Sequence, residues 1–402
     1  MKFLFFFLIL SNIFEKYISL IGYFDEIITI CALLLIIVKI NVKQKLSKNI
    51  FDAAICFFIV ICVGVLSNII FDIQKSKIAI MKDILAISKF FIIYICCCLY
   101  PNKRLSRNQN ELICKFSKVY IITLFIFGII NQFFDIGMDS GYRSVVKVFM
   151  FLYSHSTYMV GAVVVICTIL IADGMEKNIN FIICAIIVLM LSMRSKAYIY
   201  IVLISFFFLL MRRNKMKISA HSFLKRNKQK IFLMAVFVMF ISYFVVKDKL
   251  NDYIRWGLSA ARTALYIVGF KIMIDYFPLG TGLGTFASWI SGEYYSNVYV
   301  LYNIQNVSGL RRDEGMPYIS DTYWPYIFGQ FGIIGMFFYA MALIYVFKDI
   351  LKKYSENINV LVSAVSLYVY ILMACFVEAT LTNAQIVLMA LTLGYYLDVK
   401  RG

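Results

Sequence analysis

Five residues in this chain bring reactive side chains to places where an apolar sequence has little use for them: Arg194, Lys196, Arg255, Arg262 and Asp321. Arg255 and Arg262 stand seven positions apart, about two helical turns, so the helix expected over "DYIRWGLSAARTALYIVGFKIMIDYF" projects both guanidiniums from one face. Planar forks on one face suit an oxyanion such as pyrophosphate. The competing reading has them meeting lipid headgroups or loop carboxylates. Arg194 and Lys196 interrupt "LSMRSKAYIY" between two apolar runs, where a cation needs water or a partner and marks a functional position by default. Snorkelling to headgroups is the alternative. Asp321 stands where the chain re-enters apolar sequence, in "SDTYWPYIFGQFGIIGMFFY", and a carboxylate at the mouth of a site is a competent general base. Asp252, Asp275, Asp313, Glu314 and Glu378 are the other carboxylates expected on the same side.

Near the arginines, "DYFPLGTGLGTFASW" carries Pro278, Gly280, Gly282 and Gly284. A dinucleotide-binding turn needs a strand before its glycines and a helix after them. Here the preceding residues read as helix, which excludes that chemistry. The pattern predicts a helix stop and then a tight extended turn whose backbone packs close to a substrate or to the arginine helix. A plain helix-ending turn is the bland alternative.

Metal chemistry finds little footing. All ten cysteines, "CCC" at 96–98 included, fall in predicted spans, where they act as small apolar residues. They show no C-x-x-C spacing, and His155 and His221 are the two histidines, so neither a zinc site nor a disulfide framework is expected. His155 either lines a cavity or serves structure.

The elements that must position these groups are membrane helices. Of 402 residues, 62% are hydrophobic and 15% charged, far from the roughly half-apolar composition of soluble domains. The expectation is an all-α polytopic membrane protein of about 12 transmembrane helices, near 3–22, 26–40, 51–71, 78–100, 113–134, 147–172, 180–193, 197–211, 231–247, 322–347, 357–377 and 384–398. The opening run reads as the first span, because no small-residue cleavage site follows it. Lys and Arg collect in "RRNKMKISAHSFLKRNKQK" (212–230), which sets that loop and both termini in the cytoplasm. The formal net charge of +18 then reflects topology and carries no nucleic-acid meaning. Residues 1–247 hold nine spans, 248–320 form one long extracytoplasmic loop with an amphipathic helix, and 321–402 hold three more spans. Long loops in compact folds tend to be functional. Tyr323 and Trp324 fit a membrane-interface belt, and Gly329, Gly332 and Gly335 form a smooth stripe for helix contact.

The order "FLYSHSTYMVGAVVV", "SMRSKA", an outer loop with an arginine helix and "FPLGTGLGTF", then "DTYWPYIFGQFGIIG" resembles the O-antigen ligase/polymerase (Wzy/WaaL-like) superfamily of bacterial surface polysaccharide assembly, over roughly 150–340. The resemblance implies a GT-C-like, metal-independent glycosyltransferase in the bacterial cytoplasmic (inner) membrane. It would act on oligosaccharide repeat units carried by undecaprenyl pyrophosphate, with no cofactor or nucleotide sugar. Arg194 and Arg262 carry over as pyrophosphate-binding residues, with Arg255 as a third. Ligases of that superfamily place a histidine just before the helix that follows the loop; this chain has Asp321 there, which favours the polymerase branch. A polymerase moves the growing glycan onto the non-reducing-end hydroxyl of a fresh lipid-linked repeat, with a flippase and a chain-length regulator as candidate protein partners. The alternatives are a ligase acting on lipid A-core or another acceptor, and a lipid-linked oligosaccharide flippase. A flippase is expected to show symmetry between halves, and none is visible. An O-acetyltransferase is expected to carry a buried catalytic histidine and more arginines in its spans.

Overall fold

The computed structural model describes residues 2–40, 46–100, 105–143, 145–213 and 257–399, with Gln229, Leu233 and Arg255 in addition. Most of 212–230, nearly all of the predicted span 231–247, and Asp252 lie outside the described residues. The chain is mostly helical. It begins with α1 (Lys2–Phe14), α2 (Phe24–Ile40), α3 (Lys48–Phe71), α4 (Lys77–Leu99) and α5 (Arg107–Phe133). A serine starts each of the last three: Ser47, Ser76 and Ser106 accept the amides of Ile50, Ala79 and Gln109. Each thereby satisfies a donor that a helix start leaves open. Next come α6 (Ser156–Gly174), α7 (Ile179–Leu191) and α8 (Ser195–Arg213), then α9 (Ala261–Asp275), the short α10 (Trp289–Glu293) and α11 (Val298–Leu301). The chain closes with α12 (Trp324–Lys353), α13 (Ile358–Ala374) and α14 (Gln385–Leu391).

Six helical stretches are long and apolar enough to cross a membrane: Ser19–Lys39, Lys48–Phe71, Arg107–Phe133, Ser156–Gly174, Ser195–Arg212 and Trp324–Lys353. The described residues do not reach twelve. Lys2–Phe14 and Ile179–Leu191 have 13 residues each and Ile358–Ala374 has 17, short of the roughly 20 that a hydrocarbon core asks for. α4 is long enough but carries Lys77, Lys82, Asp83 and Lys89.

Two expectations are corrected. The stretch 147–172 does not open as helix: β1 (Asp139–Arg143) pairs antiparallel with β2 (Val146–Phe149), and α6 starts only at Ser156. The β-branched residues of "VVKVF" fit a pleated ladder better than a helix. Nor do Arg255 and Arg262 share the face of one continuous helix. Gly257 has φ 51°, a 3₁₀ turn spans Gly257–Ser259, and Ala260 is extended, so α9 begins afresh at Ala261.

The glycine turn explains how the bundle closes. α12 packs along α3 and α9, and it is broken at Gly332, where φ is 58° and ψ −161°. Residues 280–287 are buried, and their backbone is tied off by protein groups. Thr281 and Gly282 donate to the carbonyls of Gly329 and Gln330 at 3.0 and 2.8 Å. Leu283 donates to Asn68 Oδ1 on α3 at 2.8 Å, and Gly284 to Asp83 Oδ2 on α4 at 2.8 Å. A Cβ at Gly280 would come within 2.5 Å of the Gly332 nitrogen. Irregular backbone among apolar helices persists where protein covers it, and here the turn and the broken helix cover each other.

The connections gather in two places. At one, Ser47 donates to Asp349 at 2.7 Å and Leu105 to the Asp398 carbonyl at 3.0 Å. Elsewhere the hairpin bonds to the α7–α8 turn and the start of α9 bonds to the segment before α12, and the two pairs lie within electrostatic reach of each other through Arg194 and Asp321.

Candidate functional site

Arg194 immediately precedes α8, in a turn that Met193 makes possible with φ 50°. Arg143 of the hairpin donates to the Met193 carbonyl at 3.0 Å and pins that turn. The guanidinium then lies against the start of α6: Nε donates to Ser156 Oγ at 2.5 Å and Nη2 meets His155 Nε2 at 2.9 Å. An arginine is always a donor, so His155 Nε2 is the acceptor. The imidazole is therefore neutral, and its Nδ1 faces both the Thr157 hydroxyl at 2.7 Å and the Thr157 backbone amide at 3.3 Å, at the start of α6. His155 is exposed on one side, yet partial burial and the nearby cations of Arg194, Lys196 and Arg143 lower its pKa to about 4, against the opposing pull of Glu378. Among the described residues, two of the five guanidinium N–H groups of Arg194 are engaged.

Lys196 turns inward. It is buried and paired with Glu378, whose other oxygen accepts from Asn383 Nδ2 at 2.7 Å. Its charge is thus spent on holding a carboxylate that follows α13.

Arg262 sits in the first turn of α9 and donates from Nη2 to Asp321 Oδ2 at 3.0 Å. Both side chains keep solvent contact, at 27% for Arg262 and 40% for Asp321. Burial raises the Asp321 pKa, Glu378 adds to the rise, and Arg262 and Arg194 oppose it. Asp321 and Glu378 therefore lie within electrostatic reach of each other and of Arg194. The start of α9 has no side-chain cap from Ala260 and no acidic residue in its first turn. An uncapped helix start beside an arginine favours negative charge.

Other expected residues lie elsewhere. Arg255 is helical and exposed, and its sequence neighbours are outside the described residues. Pro278, Gly280, Gly282 and Gly284 form the buried turn against α3, α4 and α12, with the amides of Gly282 and Gly284 donated to protein acceptors. Asp275 accepts from Tyr302 at 2.7 Å, Asp313 pairs with Arg311 at 2.8 Å, and Glu314 accepts from the Gly309 amide at 2.7 Å.

A cavity of about 610 Å³ opens beside the cluster. Ser320 and Ala379, the sequence neighbours of Asp321 and Glu378, line it, as do Asp25, Asp83, Lys89, Tyr158 and Trp289. Sequence reasoning passed over this group because its members come from separate helices with no shared motif. Among the described residues, no group of three or more His, Cys, Asp and Glu could hold a metal ion.

Neither a family model, a curated protein nor a solved structure matches this chain. Four cations, Arg143, Arg194, Lys196 and Arg262, and two carboxylates, Asp321 and Glu378, are drawn from five segments of a helical membrane protein. Planar cations and a helix start can bind a polyanion, and a half-buried carboxylate beside them can take a proton.

Proposed function

We propose that this chain is a glycosyltransferase that needs no metal and polymerises a bacterial surface polysaccharide of the O-antigen or capsule type. It acts at the outer face of the cytoplasmic membrane with both termini inside, and its substrates are oligosaccharide repeats on undecaprenyl pyrophosphate. The observation that carries this reading is the Arg262–Asp321 pair, 3.0 Å apart at the start of α9 and electrostatically coupled to Arg194.

Pyrophosphate competes with Asp321 for Arg262, because a dianion beside a helix start makes more charge-assisted hydrogen bonds than one carboxylate. Binding the lipid donor thereby releases Asp321. The acceptor hydroxyl oxygen attacks the anomeric carbon of the donor glycan as the bond from that carbon to the phosphate oxygen breaks. The hydroxyl proton passes to Asp321, and the bonding pair leaves with undecaprenyl pyrophosphate, whose charge Arg194 and Arg262 stabilise. His155 and Ser156 hold Arg194 in place for this, and Lys196 holds Glu378.

The test is the glycan pattern of a strain that relies on this chain, with the coding sequence removed and then restored. Loss of all polymer longer than one repeat supports polymerisation. Polymer retained on the lipid carrier points instead to a ligase that passes glycan to another acceptor.

A further inference from the structure

The cavity beside the cationic cluster has a chemistry of its own. At its wall, Asp83 is fully buried and its Oδ2 accepts the Gly284 amide at 2.8 Å. Tyr326 and Ser288 stand near the carboxylate. Both come within reach of it as donors, but short of full hydrogen-bond geometry: neither Asp83 Oδ1 nor Tyr326 Oη, itself buried, has a well-formed hydrogen-bond partner among the described residues. An unpaired acceptor beside an unpaired hydroxyl is costly unless something polar completes them. One ligand hydroxyl does so, donating to the carboxylate and accepting from the tyrosine.

Charge narrows the ligand further. Lys89 pairs with Asp25 at 2.6 Å and Lys82 with Glu293 at 2.8 Å. That leaves Glu15, Glu26 and Asp83 in the lining without a cation paired to them among the described residues. The volume, about 610 Å³, is typical of pockets that enclose a small organic ligand, roughly 300–1,000 Å³. Tyr158, Tyr323 and the exposed Trp289 add aromatic surface, against which the C–H face of a sugar ring packs.

We infer that this cavity is the subsite for the acceptor end of the glycan, and that it takes neutral or amine-bearing sugars and rejects acidic ones. The inference rests on the glycosyltransferase reading for its role in catalysis, and on the lining alone for its choice of sugar. The cavity reaches the sequence neighbours of Asp321 and Glu378, so a sugar held there presents its terminal hydroxyl toward the carboxylates beside the arginines.

The experiment titrates the purified full chain in detergent with three disaccharides: maltose, deacetylated chitobiose and digalacturonate. Tryptophan fluorescence is the readout, and Trp289→Phe assigns the signal to the cavity. The expected result is saturable binding of the first two, with digalacturonate weaker by roughly tenfold or more. Tyr326→Phe removes one hydroxyl and little else, and should weaken chitobiose binding by about threefold to tenfold. Ala86→Phe, which fills the cavity, should abolish the response. Equal binding of digalacturonate, no saturable binding of either other sugar, or an unchanged affinity in both variants overturns the inference. A chain that binds these sugars but does not polymerise in the strain assay loses the proposed function and keeps the subsite. One that polymerises at the parent rate with Ala86→Phe loses the subsite and keeps the function.

Discussion

Arg262 and Asp321 neutralise each other at 3.0 Å although 59 positions separate them in the chain. The pair joins the first turn of α9 to the residues that lead into α12. A group that binds one partner more strongly sets the other free, and under the proposed function the pair would exchange Asp321 for an anionic substrate.

Asp321→Asn keeps the shape and removes the basicity. In a purified assay with lipid-linked repeats it should slow elongation by about 10²–10⁴-fold while donor binding persists. Elongation at the parent rate would put the base elsewhere. The pH profile adds a sign. Asp321 titrates above its ordinary value because of burial, and Arg262 holds the rise in check. Activity should fall as pH drops through that raised pKa, and Arg262→Gln should move the acid limb to higher pH.

Arg194→Lys and Arg262→Lys retain charge and lose the planar fork. Each should lower polymer yield by about 10²-fold with membrane levels unchanged on immunoblots. If lysine serves equally at both positions, these side chains do not clamp pyrophosphate.

His155 acts through Arg194, so its substitutions should sort by hydrogen bonding. His155→Gln keeps a neutral acceptor for Arg194 Nη2 and should retain most activity, whereas His155→Ala should resemble Arg194→Lys. The folded pKa near 4 lies below the ordinary 6.5 of the imidazole. The unfolded chain therefore takes up the proton first, and the stabilisation is complete above about pH 6.5 and is lost as pH falls toward 4. Thermal unfolding in detergent should show that slope, and His155→Gln should flatten it.

Gly282 has φ 91°, and a Cβ there would meet the Asn68 side chain and backbone at 2.8–2.9 Å. Gly282→Val should cost about 2–5 kcal/mol through backbone strain and overpacking, seen as loss of folded protein in thermal-shift measurements. Gly284→Ala meets nothing closer than 3.5 Å and should cost about 1–3 kcal/mol from its positive φ alone. A valine tolerated at 282 would contradict the packing of the turn against α3.

What the sequence made legible was local. The apolar run expected at 51–71 lies inside α3 (Lys48–Phe71), and the position of Asp321 ahead of an apolar stretch was readable in the same way. What escaped were relationships with no periodic trace, such as Lys196 with Glu378, 182 positions apart, or the meeting of Asp83 with the glycine turn. One local inference failed for a local reason: seven-residue spacing implies a common face only if the helix is unbroken, and Gly257 breaks it. The glycine stripe expected at 329, 332 and 335 is interrupted, because the helix breaks at Gly332. At Gly329 and Gly332 it receives Phe286 and the Pro278 carbonyl instead of a neighbouring helix.

The closure of the glycine turn on α3 has a consequence for synthesis. Asn68 bonds both ways with Leu283, and the chain between them is 215 residues long. At about 5–20 residues per second, the ribosome needs roughly 10–40 s to supply the second partner. Throughout that interval the Asn68 side chain lacks the partner it has in the finished fold. A chain cut before Gly282 therefore carries its defect in α3, far upstream of the cut.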